Sequence, residues 1–250
     1  GASTDEAQEN VAVRIAEQFD AFLNRGEVRN AVNSFSVDAA VAGRLEPFLQ
    51  LAKSMGDTQA RLLEGHFQSM DIEIAGEMAN DFPAEPLVAA TLTGFLGRLL
   101  SQNVNPVNAQ AVAKEHGYGI KHTTTQGTGP YVNLLSLQVK STAGERLISG
   151  TVFGKGNVKV VRMDGAHIEF SLTGYLLLCR NDDKPGRLAG ITSALAGNKV
   201  NIADCALGRD SDTGCAITAL HIDTNLNESA LQAVADVEGV QWCKFVNFND

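Results

Sequence analysis

Near its start the chain carries apolar residues at spacings of four and three, which is the period of an amphipathic helix. They are Val11, Ile15, Phe19 and Phe22. A capping box formed by Ser3 and Glu6 marks the start of this helix, and Arg25-Gly26 supplies a stop signal. The pattern predicts one helix followed by a loop over residues 27–36. No neighbouring segment is expected to cover the apolar stripe of this helix.

The segment from residue 37 to residue 173 combines helical spacing with strand alternation. Its predicted helices cover residues 45–55, 86–100 and 105–117. Its predicted strands cover residues 70–74, 132–140, 146–153, 158–163 and 167–172. Asn105 is expected to cap the third helix, with Pro106 in its first turn. Asp164-Gly165 indicates a hairpin, because both residue types accept the left-handed conformation of a tight two-residue turn.

The last segment, residues 174–250, alternates strands and helices in the order βαββαβ. The expected elements are strands at 174–180, 200–207, 215–222 and 240–246 and helices at 185–196 and 227–235. Pro185 is expected to open the first helix and Gly197 to close it. This order specifies a ferredoxin-like arrangement, with two helices on one face of a four-stranded antiparallel sheet. The fold class is therefore α+β, with a mixed α/β domain followed by a ferredoxin-like one.

Composition narrows the classes of function. The sequence of 250 residues has 44% hydrophobic residues, enough to build cores, and a formal charge of -9. An acidic protein has no general attraction to nucleic-acid phosphates or anionic lipid. The apolar runs, such as residues 175–178, are far shorter than the roughly 20 residues that cross a bilayer. The four cysteines have no metal-site or disulfide-scaffold spacing, which favours a reducing compartment.

No pattern of an independent catalyst is present in the sequence. A dinucleotide site needs G-x-G-x-x-G between a strand and a helix, and Gly154-Lys155-Gly156 lacks the third glycine and lies between two strands. The five histidines have no zinc-ligand spacing. No G-x-S-x-G elbow marks a nucleophile. We expect neither a metal site nor a catalytic constellation within this chain.

One turn has the composition of a ligand site. Residues 182–186 place short polar side chains between a predicted strand and a predicted helix, where free backbone N–H groups are available. Asn201, at the start of the next predicted strand, is expected to reach the same turn. Two interpretations are open: Asp183 and Asn201 contact a small ligand, or Asp183 caps the helix and Asn201 satisfies a turn.

These residues carry a family resemblance. Residues 177–188, Leu-Leu-Cys-Arg-Asn-Asp-Asp-Lys-Pro-Gly-Arg-Leu, followed by Val-Asn-Ile-Ala at 200–203, resemble an ACT domain, a small-molecule sensor of amino-acid metabolism. The segments at 107–109, 131–134, 150–155 and 161–167 are similar to the intervening, or allosteric substrate-binding, domain of long-form D-3-phosphoglycerate dehydrogenases. The segments at 1–8 and 31–33 resemble the end of the catalytic part of that enzyme. The resemblance divides the chain into residues 1–36, 37–173 and 174–250.

The resemblance implies a function for the whole enzyme. Members of that family oxidise 3-phosphoglycerate to 3-phosphohydroxypyruvate with NAD, in the first step of L-serine synthesis. Their Rossmann unit and catalytic histidine precede the segment that matches Gly1, and only Gly1 and Ala2 match positions that border the cofactor. The chain is therefore expected to be an inactive C-terminal piece with a regulatory role, placed in the cytoplasm or in a plastid.

The resemblance also implies an effector site. ACT domains of this family bind serine at a dimer interface, through positions that correspond to Asn181, Asp183 and Asn201. A homo-oligomer, either a dimer or a tetramer, is implied. Lys159 matches a basic position of an anion site, although the relatives' arginines are replaced by Ala166 and Ser171, and the other interpretation of Lys159 is a solvated strand residue.

Two other functions compete with this interpretation. The first is a free-standing ACT-type regulatory protein that binds an amino acid. The second is a regulatory subunit of an iron–sulfur L-serine dehydratase, which would need a partner subunit because cluster-ligand cysteines are missing from this chain.

Overall fold

The computed structural model describes residues 5–25, 39–154 and 156–249, and the chain forms two compact units, residues 1–46 and 47–250. In the first unit, α1 spans Asp5–Arg25, which confirms the helix predicted from the apolar spacing. Val11 and Ile15 on this helix are 52% and 47% exposed. The loop predicted at 27–36 lies outside the described residues.

The second unit begins within α2, Ala39–Arg61, and continues with a mixed region. Its further helices are α3 Met78–Asp81, α4 Ala84–Leu99 and α5 Ala109–Glu115. Its strands are β1 Phe67–Gly76, β2 Gly119–Thr125, β3 Asn133–Ser141, β4 Gly144–Phe153, β5 Asn157–Met163 and β6 Ala166–Phe170. They form a six-stranded sheet in the order β2-β1-β3-β4-β5-β6, in which β1 and β2 are parallel and all other neighbours are antiparallel.

Helices α2 and α4 pack closely because glycines meet at their crossing. A Cβ atom on Gly56 would overlap the backbone carbonyl of Thr91, and one on Gly94 would overlap that of Lys53. Side chains of α2 also reach the sheet, where Gly150 of β4 leaves room for Met55. One face of the six-stranded sheet is thus covered by helices.

The last part of the chain forms the predicted ferredoxin-like arrangement. Its elements are β7 Tyr175–Asp182, α6 Arg187–Gly197, β8 Ile202–Asp210, β9 Cys215–Ile222, α7 Glu228–Ala235 and β10 Val240–Asn247. The sheet order is β10-β7-β9-β8, with every neighbouring pair antiparallel. Helices α6 and α7 cover one face, around a core that includes Leu177, Cys179, Ile191, Leu195, Leu220 and Val234. The α+β fold class is confirmed.

The other face of the four-stranded sheet is buried as well. Leu176 and Leu178 are both 0% exposed on the side away from the helices. Strand β6 lies against β8 there, where Gly208 comes so close to the His167 carbonyl that a Cβ atom would not fit. The predicted domain boundary at residue 173 falls between β6 and β7 and stays a prediction.

Two predicted helix starts are wrong. Helix α5 begins at Ala109, because the Asn105 side chain accepts hydrogen bonds from the N–H groups of Val107 and Asn108 and so forms a turn instead of a cap. Helix α6 begins at Arg187, because Gly186 adopts a φ of +90°, which no helical residue has.

None of the helices in the described ranges is long and apolar enough to cross a membrane.

Candidate functional site

The turn between β7 and α6 is held by an ion-pair network. Arg187 donates to both carboxylate oxygens of Asp182, over 2.6 and 3.2 Å, and also to Glu238 over 3.1 Å. Lys184 approaches Asp182 to 3.0 Å. The hydrogen bonds from Arg187, and then those from Lys184, lower the pKa of Asp182 to about 2. Because bidentate arginine–carboxylate pairs fix orientation, this network positions the turn.

Gly239 makes this network sterically feasible. A Cβ atom at this position would overlap the Asp182 carboxylate, and the glycine adopts a φ of +85°. Its carbonyl also accepts a hydrogen bond from the N–H of Asp182. The loop before β10 therefore packs against the turn and hydrogen-bonds to it.

Asn181 is a buried amide beside this turn. The residue is 3% exposed, and its Nδ2 donates to the Asp182 carbonyl over 2.7 Å. Its Oδ1 is buried and accepts no hydrogen bond from the described residues. A buried acceptor without a donor costs about 1–3 kcal/mol, a cost that a donor brought within reach of this atom would offset.

Asp183 does not cap α6, so the capping interpretation is wrong. Gly186 occupies the cap position and no side chain bonds to the start of the helix. The Asp183 carboxylate instead accepts from Nε of Arg209 over 2.5 Å, and its N–H donates to the Gly214 carbonyl over 3.0 Å. Both contacts fasten the turn to the end of β8 and the β8–β9 loop.

Asn201 does not reach the turn within one chain. Its Nδ2 donates to Asp223 over 2.6 Å, at the end of the sheet where Ile202 pairs with Ile222. Asp182 pairs with Cys215 at the other end. Because β7 has eight residues, the two ends are separated by roughly 25 Å.

Strand β8 is the outer strand of its sheet and has an exposed face beside α6. Leu207 is 43% exposed, Leu188 on α6 is 36% exposed, and Cys205 is also exposed. Exposed large apolar residues next to a strand edge are typical of an association surface.

The described residues give little support to an anion site at Lys159, and they do not include the two positions expected to border the cofactor, Gly1 and Ala2. Lys159 lies in β5 opposite Thr151 and is half-buried, and no ion pair within the described ranges includes it. The carbonyl of Ser171 accepts a hydrogen bond from Nε2 of His221, and Ala166 is fully buried. Gly1 and Ala2 lie outside the described residues.

Sequence reasoning missed Arg209 and Arg187 as partners of the acidic turn. Arg187 follows Asp182 by five residues across a strand–turn–helix junction, which offers a weak signal. Arg209 is far away in the sequence, and only the strand register brings it close to Asp183. Across the described ranges, no group of three metal-binding side chains is present.

The middle region is similar to a known protein family. Residues 44–164 match the D-3-phosphoglycerate dehydrogenase intervening domain family. D-3-phosphoglycerate dehydrogenases from Synechocystis, Archaeoglobus fulgidus and Bacillus subtilis are 34%, 30% and 27% identical over 96%, 96% and 99% of this chain. The chain spans about half the length of these relatives, 44%, 45% and 47%. The resemblance to D-3-phosphoglycerate dehydrogenases is confirmed, and the assignment of residues 174–250 to an ACT domain stays a prediction.

Proposed function

We propose that this chain, which carries the intervening domain of the D-3-phosphoglycerate dehydrogenase family, is a regulatory and assembly part of such an enzyme. The names of the relatives and the partial coverage of their length support this role. The whole enzyme would oxidise 3-phosphoglycerate with NAD in the first step of L-serine synthesis, in the cytoplasm. Because the sequence has no nucleotide-binding glycine pattern, we assign no step of hydride transfer to the residues of this chain.

The buried Oδ1 of Asn181 carries the proposal of an effector site. An amino-acid ligand has an ammonium group with three donors, and we propose that this group pairs with the neutral acceptor of Asn181, two residues before the Asp183 carboxylate. The ion pairs of Asp182 keep the turn in one shape before the ligand arrives. L-serine, the product of the pathway, is the ligand that we propose.

Two copies of the chain would complete the site. If β8 pairs with β8 of a second copy across a two-fold axis, the strands run antiparallel, and the start of one lies beside the end of the other. Asn201 of the partner subunit would then lie near Asp183, where its amide can donate to the ligand carboxylate. The exposed Leu188 and Leu207 would be covered by this contact. We therefore propose a homo-oligomer built on this edge.

Calorimetric titration with L-serine tests the site. Asp183→Ala and Asn201→Ala should each remove hydrogen bonds to a charged ligand, worth about 1.5–3 kcal/mol, and so weaken binding about tenfold or more. The stability of the Asp183→Ala protein should change by at most about 1 kcal/mol, because the pair with Arg209 is exposed. An absence of heat with the unmodified chain would contradict serine sensing.

Mixing the two variants tests the shared site. In a mixed dimer one site carries both substitutions and the other carries neither, so part of the binding should return. Recovery on mixing is expected only if each site takes Asp183 from one copy and Asn201 from the other. Light scattering on the unmodified chain provides the control, and a monomeric mass would contradict the proposed assembly.

A further inference from the structure

Two of the four cysteines face each other across neighbouring strands. Cys179 in β7 pairs directly with Cys243 in β10. The other two have no cysteine opposite them, since Cys205 pairs with Leu220, and Cys215 lies between Asp182 and Asp210. The strand register therefore selects one cysteine pair.

The geometry of this pair is suited to a covalent bond. Directly opposed residues of antiparallel strands have Cα atoms about 4.5–5.5 Å apart, within the 4.4–6.8 Å typical of disulfides. Both side chains point to the helix-covered face, where Cys179 belongs to the core and Cys243 packs against it. The Cys243 thiol donates to the Leu231 carbonyl of α7 over 3.6 Å, and both cysteines are reduced.

We propose that Cys179 and Cys243 are a modification site at which a small-molecule disulfide, such as oxidised glutathione, introduces a cross-strand disulfide. This inference does not depend on the proposed effector function. The bond would join the outer strand β10 covalently to β7, two residues before Asn181.

The chemistry proceeds by two exchanges. The half-buried Cys243 loses its proton and attacks one sulfur of the small disulfide, which forms a mixed disulfide and releases one small thiol. Cys179 then loses its proton and attacks the Cys243 sulfur, which forms the internal disulfide and releases the second small thiol. The two protein thiols are oxidised and the small disulfide is reduced to two thiols.

The surroundings of the pair make this exchange slow at neutral pH. Burial raises the pKa of Cys179, and Cys243 raises it further. Burial also raises the pKa of Cys243, where Lys244 acts in the opposite direction and Asp236 of α7 adds to the increase. Because the thiolate is the attacking form, the initial rate should rise about tenfold per pH unit below these pKa values.

Cys215 offers a contrast within the same chain. Burial alone would raise its pKa, but hydrogen bonds from Arg180 and Gln241 outweigh burial and lower it. Cys215 therefore has a larger expected thiolate fraction than the pair, although the residue is only 7% exposed, and an adduct formed there would stop at a mixed disulfide, since no second thiol lies opposite it.

The test treats the full chain with oxidised glutathione at pH 7 and at about pH 9 and maps the products after free thiols are alkylated. We expect a peptide linked through Cys179 and Cys243, formed faster at the higher pH, together with a higher urea midpoint. Excess reductant should reverse both changes. Glutathione adducts without the internal link, or a link that involves Cys205 or Cys215 instead, would overturn the inference.

Matched variants sharpen this result. Cys243→Ala should abolish the internal link, whereas Cys205→Ala, which changes an exposed cysteine, should leave it intact. The map of the unmodified chain decides the question even if Cys243→Ala folds poorly. An internal disulfide that still forms in a folded Cys243→Ala protein would also overturn the inference.

Discussion

Strand β1 of the six-stranded sheet and strand β7 of the four-stranded sheet differ in how they are buried. In β1, the buried residues Met70, Ile72 and Ile74 alternate with partly exposed polar ones. In β7, four successive residues from Leu176 to Cys179 are 0% exposed. Alternation indicates one covered face, whereas a continuous apolar run indicates two. In β7, an inner strand of its sheet, helices cover one face, and the opposite face is buried on the side where β6 lies against β8.

Leucine truncations on the two faces of β7 test this comparison most strongly. Leu177→Ala faces the helices and Leu178→Ala faces the first sheet, and both side chains are fully buried. Each should lower the free energy of unfolding by about 2–5 kcal/mol, measured by urea denaturation. Val107→Ala, at a position that is 59% exposed, should cost less than about 1 kcal/mol. A low cost for Leu178→Ala alone would mean that the two sheets pack loosely.

A smaller loss of stability is expected from substituting Gly165, which lies where the β5–β6 turn meets Asp210 of β8; we call this contact the joint between the two sheets. Gly165 has a φ of +87°, and a Cβ atom there would lie 2.9 Å from Oδ2 of Asp210. Asp210 cannot move away freely, because Thr213 and the N–H of Asp212 hold its carboxylate. Gly165→Ala should therefore cost about 1–3 kcal/mol for the backbone strain, plus about 1 kcal/mol for the displaced carboxylate.

The matched control for Gly165 is Gly154. It also has a positive φ, +53°, but the described residues place nothing within 4 Å of an added Cβ atom. Trp242, the single tryptophan of the sequence, lies 4.6 Å from the Arg146 guanidinium and reports on the joint by fluorescence. Gly165→Ala should change this fluorescence and Gly154→Ala should not; equal effects would argue against a specific joint.

The smallest expected effect is a difference in how Asp182 and Asp164 change the stability of the fold as the pH falls. Asp182 has a pKa lowered to about 2, so its stabilising contribution is present above its ordinary pKa and is lost as the pH falls towards 2. Burial raises the pKa of Asp164, although Arg146 and the N–H of Leu147 oppose this, so protonation of Asp164 stabilises the fold at low pH. Protonation of Asp182 therefore lowers the free energy of unfolding, whereas protonation of Asp164 raises it.

Urea midpoints between pH 2 and pH 5 measure this difference. Asp182→Asn should flatten the loss of stability on acidification, because the group that loses its contribution is gone. Asp164→Asn should make the loss steeper, because the compensating gain is gone. Parallel curves for the two variants would contradict the assignment.

The sequence predicts an element correctly where its own residues carry the hydrophobic pattern of that element. Strand β9 was expected at 215–222 and spans Cys215–Ile222. Strand β2 was missed because its residues, Gly119–Thr125, are mostly polar and exposed and owe their conformation to parallel pairing with β1. The start of α6 was displaced by the left-handed Gly186, which a Pro-Gly pair allows but does not require.

The candidate site was predictable only in part. The acidic turn at 182–186 could be recognised because short polar residues follow an apolar strand. The pairing of Asp183 with Arg209 depends on the register of β8, which local pattern does not fix. The separation of Asn201 from that turn likewise follows from sheet order, since β8 begins at the end where β7 begins.

Under the proposed two-copy site, the placement of Asp183 and Asn201 at opposite ends of one sheet would link ligand affinity to protein concentration. If two copies supply each site, the ligand binds the dimer and not the monomer, so dilution below the dimer dissociation constant weakens apparent binding. Linkage also requires that the ligand tighten the dimer by the same factor by which dimerisation tightens the ligand. The abundance of the protein in the cell would then set how strongly it responds to its effector.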